Sequence, residues 1–198
     1  MKKYDFSTAI RALKKGSLII YPTDTLYALG ADIYNEAAVR KVFEIKERPF
    51  SEPLPVGVAS IPMMETIAMM SSTSRLVCQH FLPGALTVIL KKKQIVPDVV
   101  TGDHETIAVR IPKNSLALEL LSRFGPLTIT SANIHHEKTL EVISEIRMQL
   151  RMPDILGIDN GRLSDAPSTI IDLSRSPPRV VRKGLITEKE LLDVIADG

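Results

Sequence analysis

Apolar positions along the chain change period repeatedly. In "DFSTAIRALKKG" the residues Ala9, Ile10 and Leu13 recur at helical spacing, and the stretch closes on basic residues and Gly16, the usual chemistry of a helix stop. "SLIIY" follows as a continuous apolar run and predicts a buried strand. "NEAAVRKVFEIK" returns to helical spacing through Val39, Val42 and Phe43, and "PLPVGV" predicts a short extended piece. Two further helices are expected between Met63 and Leu82. "GALTVILKK", "ETIAVRI" and "PLTITSA" are rich in β-formers, with a helix at "SLALELLSRFG" before the last of them. "DILGID", "STIIDLS" and "RVVRKG" predict more strands, and "TEKELLDVIA" opens with Thr187 and Glu190 in capping-box spacing.

Strands mixed with helices in this irregular order predict an α/β fold, a twisted mixed sheet covered by helices, and not a regular βαβ series. A length of 198 residues suits one well-filled core, and no repeat or linker divides the chain, so residues 1–198 are read as one domain. The balance of 25 basic against 23 acidic residues gives no global signature of a nucleic-acid or membrane binder. Any basic site must therefore be assembled by the fold. The single cysteine, Cys78, lies in an apolar run and excludes an internal disulfide framework, which fits a reducing compartment. No apolar run approaches the length of a membrane-spanning helix, and the expectation is a cytoplasmic protein.

Polar residues gather at predicted strand ends: Thr23, Asp24 and Thr25 after "SLIIY", Arg110 after "TIAV", Ser131 and Asn133 after "LTIT", and Ser168 at the start of "STIIDLS". Strand ends are where α/β sheets build ligand sites, although Thr, Ser and Asn are also ordinary turn formers. Neither a P-loop nor a dinucleotide fingerprint is present. "EIKERPFSEPL" offers another route to a phosphate, because Lys46 and Arg48 stand two apart at a helix end that Pro49 terminates. An extended backbone there could aim both cations to one side; a solvated basic helix terminus is the alternative.

Taken together and in order, "YPTDTLYALG", "IKERPFSEPL", "PGALTVIL", "AVRIP", "TSAN", "PSTIIDLS" and "VVRKG" resemble the successive motifs of the YrdC-like threonylcarbamoyl-adenylate synthases, from about Ser7 to Gly184. The resemblance implies a concave basic cleft and synthesis of threonylcarbamoyl-AMP and pyrophosphate from L-threonine, bicarbonate or CO2, and ATP with Mg2+. A threonylcarbamoyl transferase complex would then act on tRNA. It implies that Lys46, Arg48, Ser131 and Asn133 hold ATP phosphates and the reacting groups. Thr25, Arg110 and Ser168 would lie near threonine, and Arg182 near the nucleotide phosphates. "PTDT" would then break a strand at the rim of the site, with Tyr27 undecided. Two other readings stand beside this one: a module binding double-stranded RNA or tRNA without chemistry, and a YciO-like paralogue with another reaction. Low aromatic content, 5% with no Trp, argues against base stacking as the main device of the former.

The chain departs from the family pattern at several places. Ala28 stands where many members have glycine, and His135 and His136 stand where they often have Ser-Gly. Gly57 stands where some carry a histidine thought to meet the threonine side chain. Adjacent histidines are poorly placed to share one ion, and no protein-held metal is expected.

Overall fold

In a computed structural model, residues 6–163 and 167–196 are described. In chain order the elements are α1 (Phe6–Lys14), β1 (Ile19–Pro22), β2 (Tyr27–Gly30), α2 (Glu36–Lys46), β3 (Val56–Gly57), α3 (Ile61–Ile67), β4 (Ala68–Met69), α4 (Ser72–Phe81), β5 (Leu86–Lys92), α5 (Asp98–Thr101), β6 (Thr106–Arg110), α6 (Ser115–Phe124), β7 (Leu127–Thr128), β8 (Thr130–Ser131), α7 (Ile143–Gln149), β9 (Leu156–Gly157), β10 (Thr169–Asp172), β11 (Arg179–Arg182) and α8 (Glu188–Ala196). Helix starts follow local chemistry. Asn35, Ser60, Ser71 and Asn114 each accept a backbone N–H from the first turn of α2, α3, α4 and α6. At α8 the capping box forms as its spacing predicts, with Thr187 N donating to Glu190 Oε2 and Glu190 N to Thr187 Oγ1.

The strands form two sheets instead of the single one expected. The smaller has the order β8-β2-β1-β9; the larger runs β11-β10-β5-β6-β3-β7, with β4 paired to β5. Both mix parallel and antiparallel neighbours. The sheets part company within one short segment. β7 pairs with β3, Ile129 N donates to Pro55 O, and β8 then pairs with β2. Thr128 rivets this crossing: its hydroxyl donates to Leu29 O and accepts from Ala31 N, while its own carbonyl accepts from the Tyr21 hydroxyl.

Side-chain alternation explains the layers. Along β1 and β2, Ile19, Tyr21 and Ala28 face a core shared with Leu13 of α1 and Leu120 of α6. Ile20, Tyr27 and Leu29 face the opposite core, with Val42 and Phe43 of α2 and the larger sheet. The smaller sheet is thus buried on both faces, which is why "SLIIY" reads as an unbroken apolar run. β2 was not expected as a strand. The four residues Thr23 to Leu26 make the hairpin turn between β1 and β2, with Thr23 N donating to Leu26 O.

Candidate active site

The β1–β2 turn is organised by its own hydroxyls. Thr23 Oγ1 accepts from the backbone N–H groups of Thr25 and Leu26 and donates to Leu26 O, and it lies 3.0 Å from Thr25 Oγ1. Local side-chain bonds of this kind stabilise a tight turn without glycine. Asp24 serves a partner distant in sequence. Its Oδ1 accepts from Arg110 Nη2 at 2.8 Å and from Lys113 N at 2.9 Å.

Arg110 ends β6 and is 5% exposed, so each N–H must find an acceptor. Nη1 donates to Thr25 Oγ1 at 2.9 Å, Nε to Gly84 O at 3.0 Å and Nη2 to Asp24. Burial lowers its pKa while the Asp24 carboxylate opposes this, keeping the guanidinium charged. Arg182, at the end of β11, reaches the other side of the same region. Its Nε and Nη2 both donate to Ser168 O, and Nη2 also to Ser168 Oγ at 3.1 Å; Ser168 Oγ in turn lies 2.9 Å from Thr87 Oγ1. The pKa of Arg182 falls, first through burial and then through the positive field of Arg110.

Gly184 makes this clamp possible. A Cβ there would come within 2.4 Å of Thr169 N and 2.6 Å of Pro167 O, so the strand end lies directly on the Pro167–Thr169 backbone.

Lys46 and Arg48 do not point to one side. Between them Glu47 adopts left-handed backbone angles, φ 52°, as the cap of α2. Lys46 consequently turns inward and is 1% exposed; its Nζ donates to Ser131 O at 2.5 Å, Asn133 O at 2.6 Å and Asn133 Oδ1 at 3.2 Å. Burial, and secondarily the Arg48 charge, lower its pKa to about 7. Arg48 turns outward and is held by Glu52 O, Pro53 O and, at 3.4 Å, His135 Nδ1. Both the expectation of two cations aimed to one side and the alternative of a solvated basic helix terminus are corrected at Lys46, because its amino group finds three oxygens in the interior. Asn133 is likewise occupied: Oδ1 accepts from Ser131 Oγ and Lys46, and Nδ2 donates to Glu137 O.

These parts surround one cleft of about 430 Å3. Arg48, Arg110, Arg182, Thr23, Thr25, Thr87, Ser131 and Ser168 supply its polar wall, and Ala28, Pro55, Ile89, Ala108, Ile129 and Ile170 its apolar one. Lys46 and Asn133 are not among the lining residues and stand behind Ser131. Three cations face the cleft with no carboxylate among the described lining residues, so it is basic in a protein of nearly balanced charge. Thr87 escapes the sequence reading as a site residue, whereas Asp24 enters it only among the polar strand-end residues and Tyr27 stays undecided there. A hydroxyl inside the otherwise apolar run "GALTVIL" was the available signal for Thr87. Tyr27 lines the cleft while its hydroxyl donates to Gly161 O and accepts from Asn160 N, so it ties the 159–161 loop to the cleft wall.

The place that a histidine would take at position 57 is filled. A Cβ on Gly57 would lie 3.1 Å from both Ile129 Cδ1 and the Tyr21 hydroxyl. Ile129 itself lines the cleft. His135 and His136 stack with ring centroids 3.8 Å apart. Among the described residues no group of three or more His, Cys, Asp or Glu side chains could hold a metal, and no helix is long and apolar enough to cross a membrane.

The Sua5/YciO/YrdC family model, described as "Telomere recombination", matches residues 11–184. The chain belongs to this family. It is 37% identical over 182 residues to a Methanocaldococcus jannaschii protein named putative threonylcarbamoyl-AMP synthase, a match covering 91% of this chain and 86% of that one. The structure of Pyrococcus abyssi Sua5 complexed with L-threonine superposes with a TM-score of 0.90 at 33% identity, over 96% of this chain and 57% of that one. Escherichia coli YciO superposes with a TM-score of 0.85 at 29% identity, over 94% and 92%. This Sua5/YciO/YrdC chain therefore spans little more than half the length of the Pyrococcus abyssi protein.

Proposed function

We propose that this protein is a threonylcarbamoyl-AMP synthase, condensing L-threonine, bicarbonate or CO2, and magnesium–ATP, with pyrophosphate as the second product. The observation that carries the reading is the convergence of Arg48, Arg110 and Arg182 on one cleft beside the Thr25, Thr87 and Ser168 hydroxyls. Asp24 and Glu52 offset Arg110 and Arg48 from outside the lining, and a cleft whose described lining holds the three cations and no carboxylate attracts an anionic ligand. The relatives' printed names and the threonine bound by Pyrococcus abyssi Sua5 support the same assignment.

The chemistry fits the residue types. The threonine amine attacks the carbon of CO2 and loses a proton to give a carbamate. A carbamate oxygen then attacks the α-phosphorus, the bond to the bridging oxygen breaks, and pyrophosphate leaves. Negative charge gathers on the phosphate oxygens during that displacement, and fixed cations placed there stabilise it more than they stabilise the ground state. Arg48 and Arg182 are assigned to the phosphates. Thr25 and Ser168, with the charge of Arg110 behind Thr25, are assigned to threonine. Ser131 lines the same cleft with its hydroxyl proton directed to Asn133 Oδ1, which leaves its oxygen as an acceptor. With no carboxylate among the described lining residues, magnesium would be held by the nucleotide phosphates and would supply further charge neutralisation there. No covalent nucleophile is needed, and Cys78 is no candidate: it is buried away from the cleft with its pKa pushed up to about 12.

The product would pass to a threonylcarbamoyl transferase acting on tRNA. Pyrophosphate release that requires threonine, bicarbonate and ATP together is the deciding measurement. Release without threonine, or none at all, would leave a nucleotide-binding or RNA-binding relative of different activity.

A further inference from the structure

His135 occupies a place next to the arginine that enters the cleft, and its ring nitrogens face two different charges. Nδ1 lies 3.4 Å from Arg48 Nη1. Nε2 is buried and lies 3.1 Å from Glu52 Oε2, off the axis of a good hydrogen bond. Glu52 Oε2 is also 3.4 Å from Arg48 Nη2, so the three side chains close a ring. The backbone fixes the imidazole there independently, because His135 N donates to Lys46 O at 2.7 Å.

Arginine never accepts a hydrogen bond and stays protonated, so the ring nitrogen facing it must present its lone pair. A neutral imidazole then carries its proton on Nε2, toward the Glu52 carboxylate. The other donors of Arg48 are already directed to Glu52 O and Pro53 O. Nη1 is the arm left to meet a ligand, and His135 is the acceptor found beside it.

We propose that His135 is a positioning residue for the proposed synthase reaction: as the Nε2–H tautomer it holds the Arg48 guanidinium in the cleft-facing orientation that receives the nucleotide phosphates. It touches neither substrate in this role and acts only through Arg48. The inference rests on the synthase reading for its kinetic consequence, while the contact itself has a readout of its own.

Three variants separate positioning from bulk. His135→Asn keeps an acceptor near the place of Nδ1, His135→Gln moves it toward the place of Nε2, and His135→Ala removes both. The kcat/KM for ATP in threonine- and bicarbonate-dependent pyrophosphate release should fall about tenfold in His135→Ala and His135→Gln, as for one lost bond to a charged donor, with part of that loss in kcat because Arg48 faces the charge that develops in the displacement. His135→Asn should stay within about threefold of the parent. An Asn variant as impaired as the Ala variant, or three variants equal to the parent, overturns the proposal. In parallel, 15N imidazole spectra of the intact protein should show His135 with a bare Nδ1 whose resonance moves in Arg48→Met. A protonated Nδ1, or one indifferent to Arg48→Met, overturns the contact even if no pyrophosphate is released by the parent protein, which would itself remove the synthase reading.

Discussion

Lys46 Nζ donates to the backbone oxygens of both Ser131 and Asn133, at 2.5 and 2.6 Å, so a cation at the end of α2 pins the loop that carries two of the candidate site residues from behind. Removing it leaves the buried Asn133 O without its donor and Ser131 O with the Asn133 N–H alone. Lys46→Met should therefore lower unfolding free energy by about 2–4 kcal/mol as well as lowering activity. Urea denaturation checks this, and an unchanged midpoint would return Lys46 to the role of a phosphate ligand.

The same burial gives a pH signature. The Lys46 pKa stands at about 7 in the folded protein against 10.5 for an unperturbed lysine. Between those values the unfolded chain binds the extra proton, so the contribution of this group makes stability rise with pH from about 7 to 10.5. Comparing unfolding free energies at pH 7 and pH 9 should show that rise in the parent and a flatter response in Lys46→Met. Parallel curves for the two would contradict it.

Arg48 is the outward member of the pair. Arg48→Ala should cut kcat/KM for pyrophosphate release by about 100-fold, the scale for one lost donor to developing charge, with stability changed by only about 1 kcal/mol. Arg48→Lys should not restore the rate, because a single ammonium cannot span Glu52 O, Pro53 O and a ligand together. Steady-state kinetics and thermal melts on both variants test this.

Among the described residues Asp24 is the one carboxylate partner of Arg110, whose side chain is 6% exposed. Asp24→Ala leaves that guanidinium buried and uncompensated, and a loss of about 3 kcal/mol is expected, with a raised KM for threonine through the displaced Thr25. A loss below about 0.5 kcal/mol by denaturant titration would show that water reaches Arg110 in place of the carboxylate.

Gly57 and Ile129 compete for one space. Gly57→His should lower the melting temperature, by the overpacking cost of about 1–3 kcal/mol, and Gly57→His with Ile129→Ala should recover most of it. Equal melting temperatures for the single and double variants would mean that the histidine leaves by another path.

Much of this architecture was legible because its elements are long and periodic. α1, α2, α4, α6, β5, β6 and α8 announce themselves by spacing and caps. β2 was not, since its Tyr-Ala-Leu-Gly follows a polar turn and is too short for alternation to stand out. α5 and α7 are likewise short and lie among turn residues. At the site, Thr25, Arg110, Ser168 and Arg182 do gather around one cleft. Their pairings, such as Arg110 with Thr25 across 85 positions, were beyond any local pattern. The burial of Lys46 was hidden for a physical reason: a lysine closing an amphipathic helix ordinarily faces water, and only the carbonyls of a segment 85 residues later reverse that preference.

Leu127 to Ser131 forms ladders with both sheets within five residues. A partial opening that separates the sheets must therefore break the lining of the cleft at Ile129 and Ser131, while an opening that spares the lining cannot separate the sheets. Amide protons on this segment should exchange with solvent only through whole-molecule unfolding, at the slowest rates in the protein. Loss of the cleft surface and loss of the native state would then be one cooperative event, and heating should abolish the proposed turnover and tertiary structure at the same temperature.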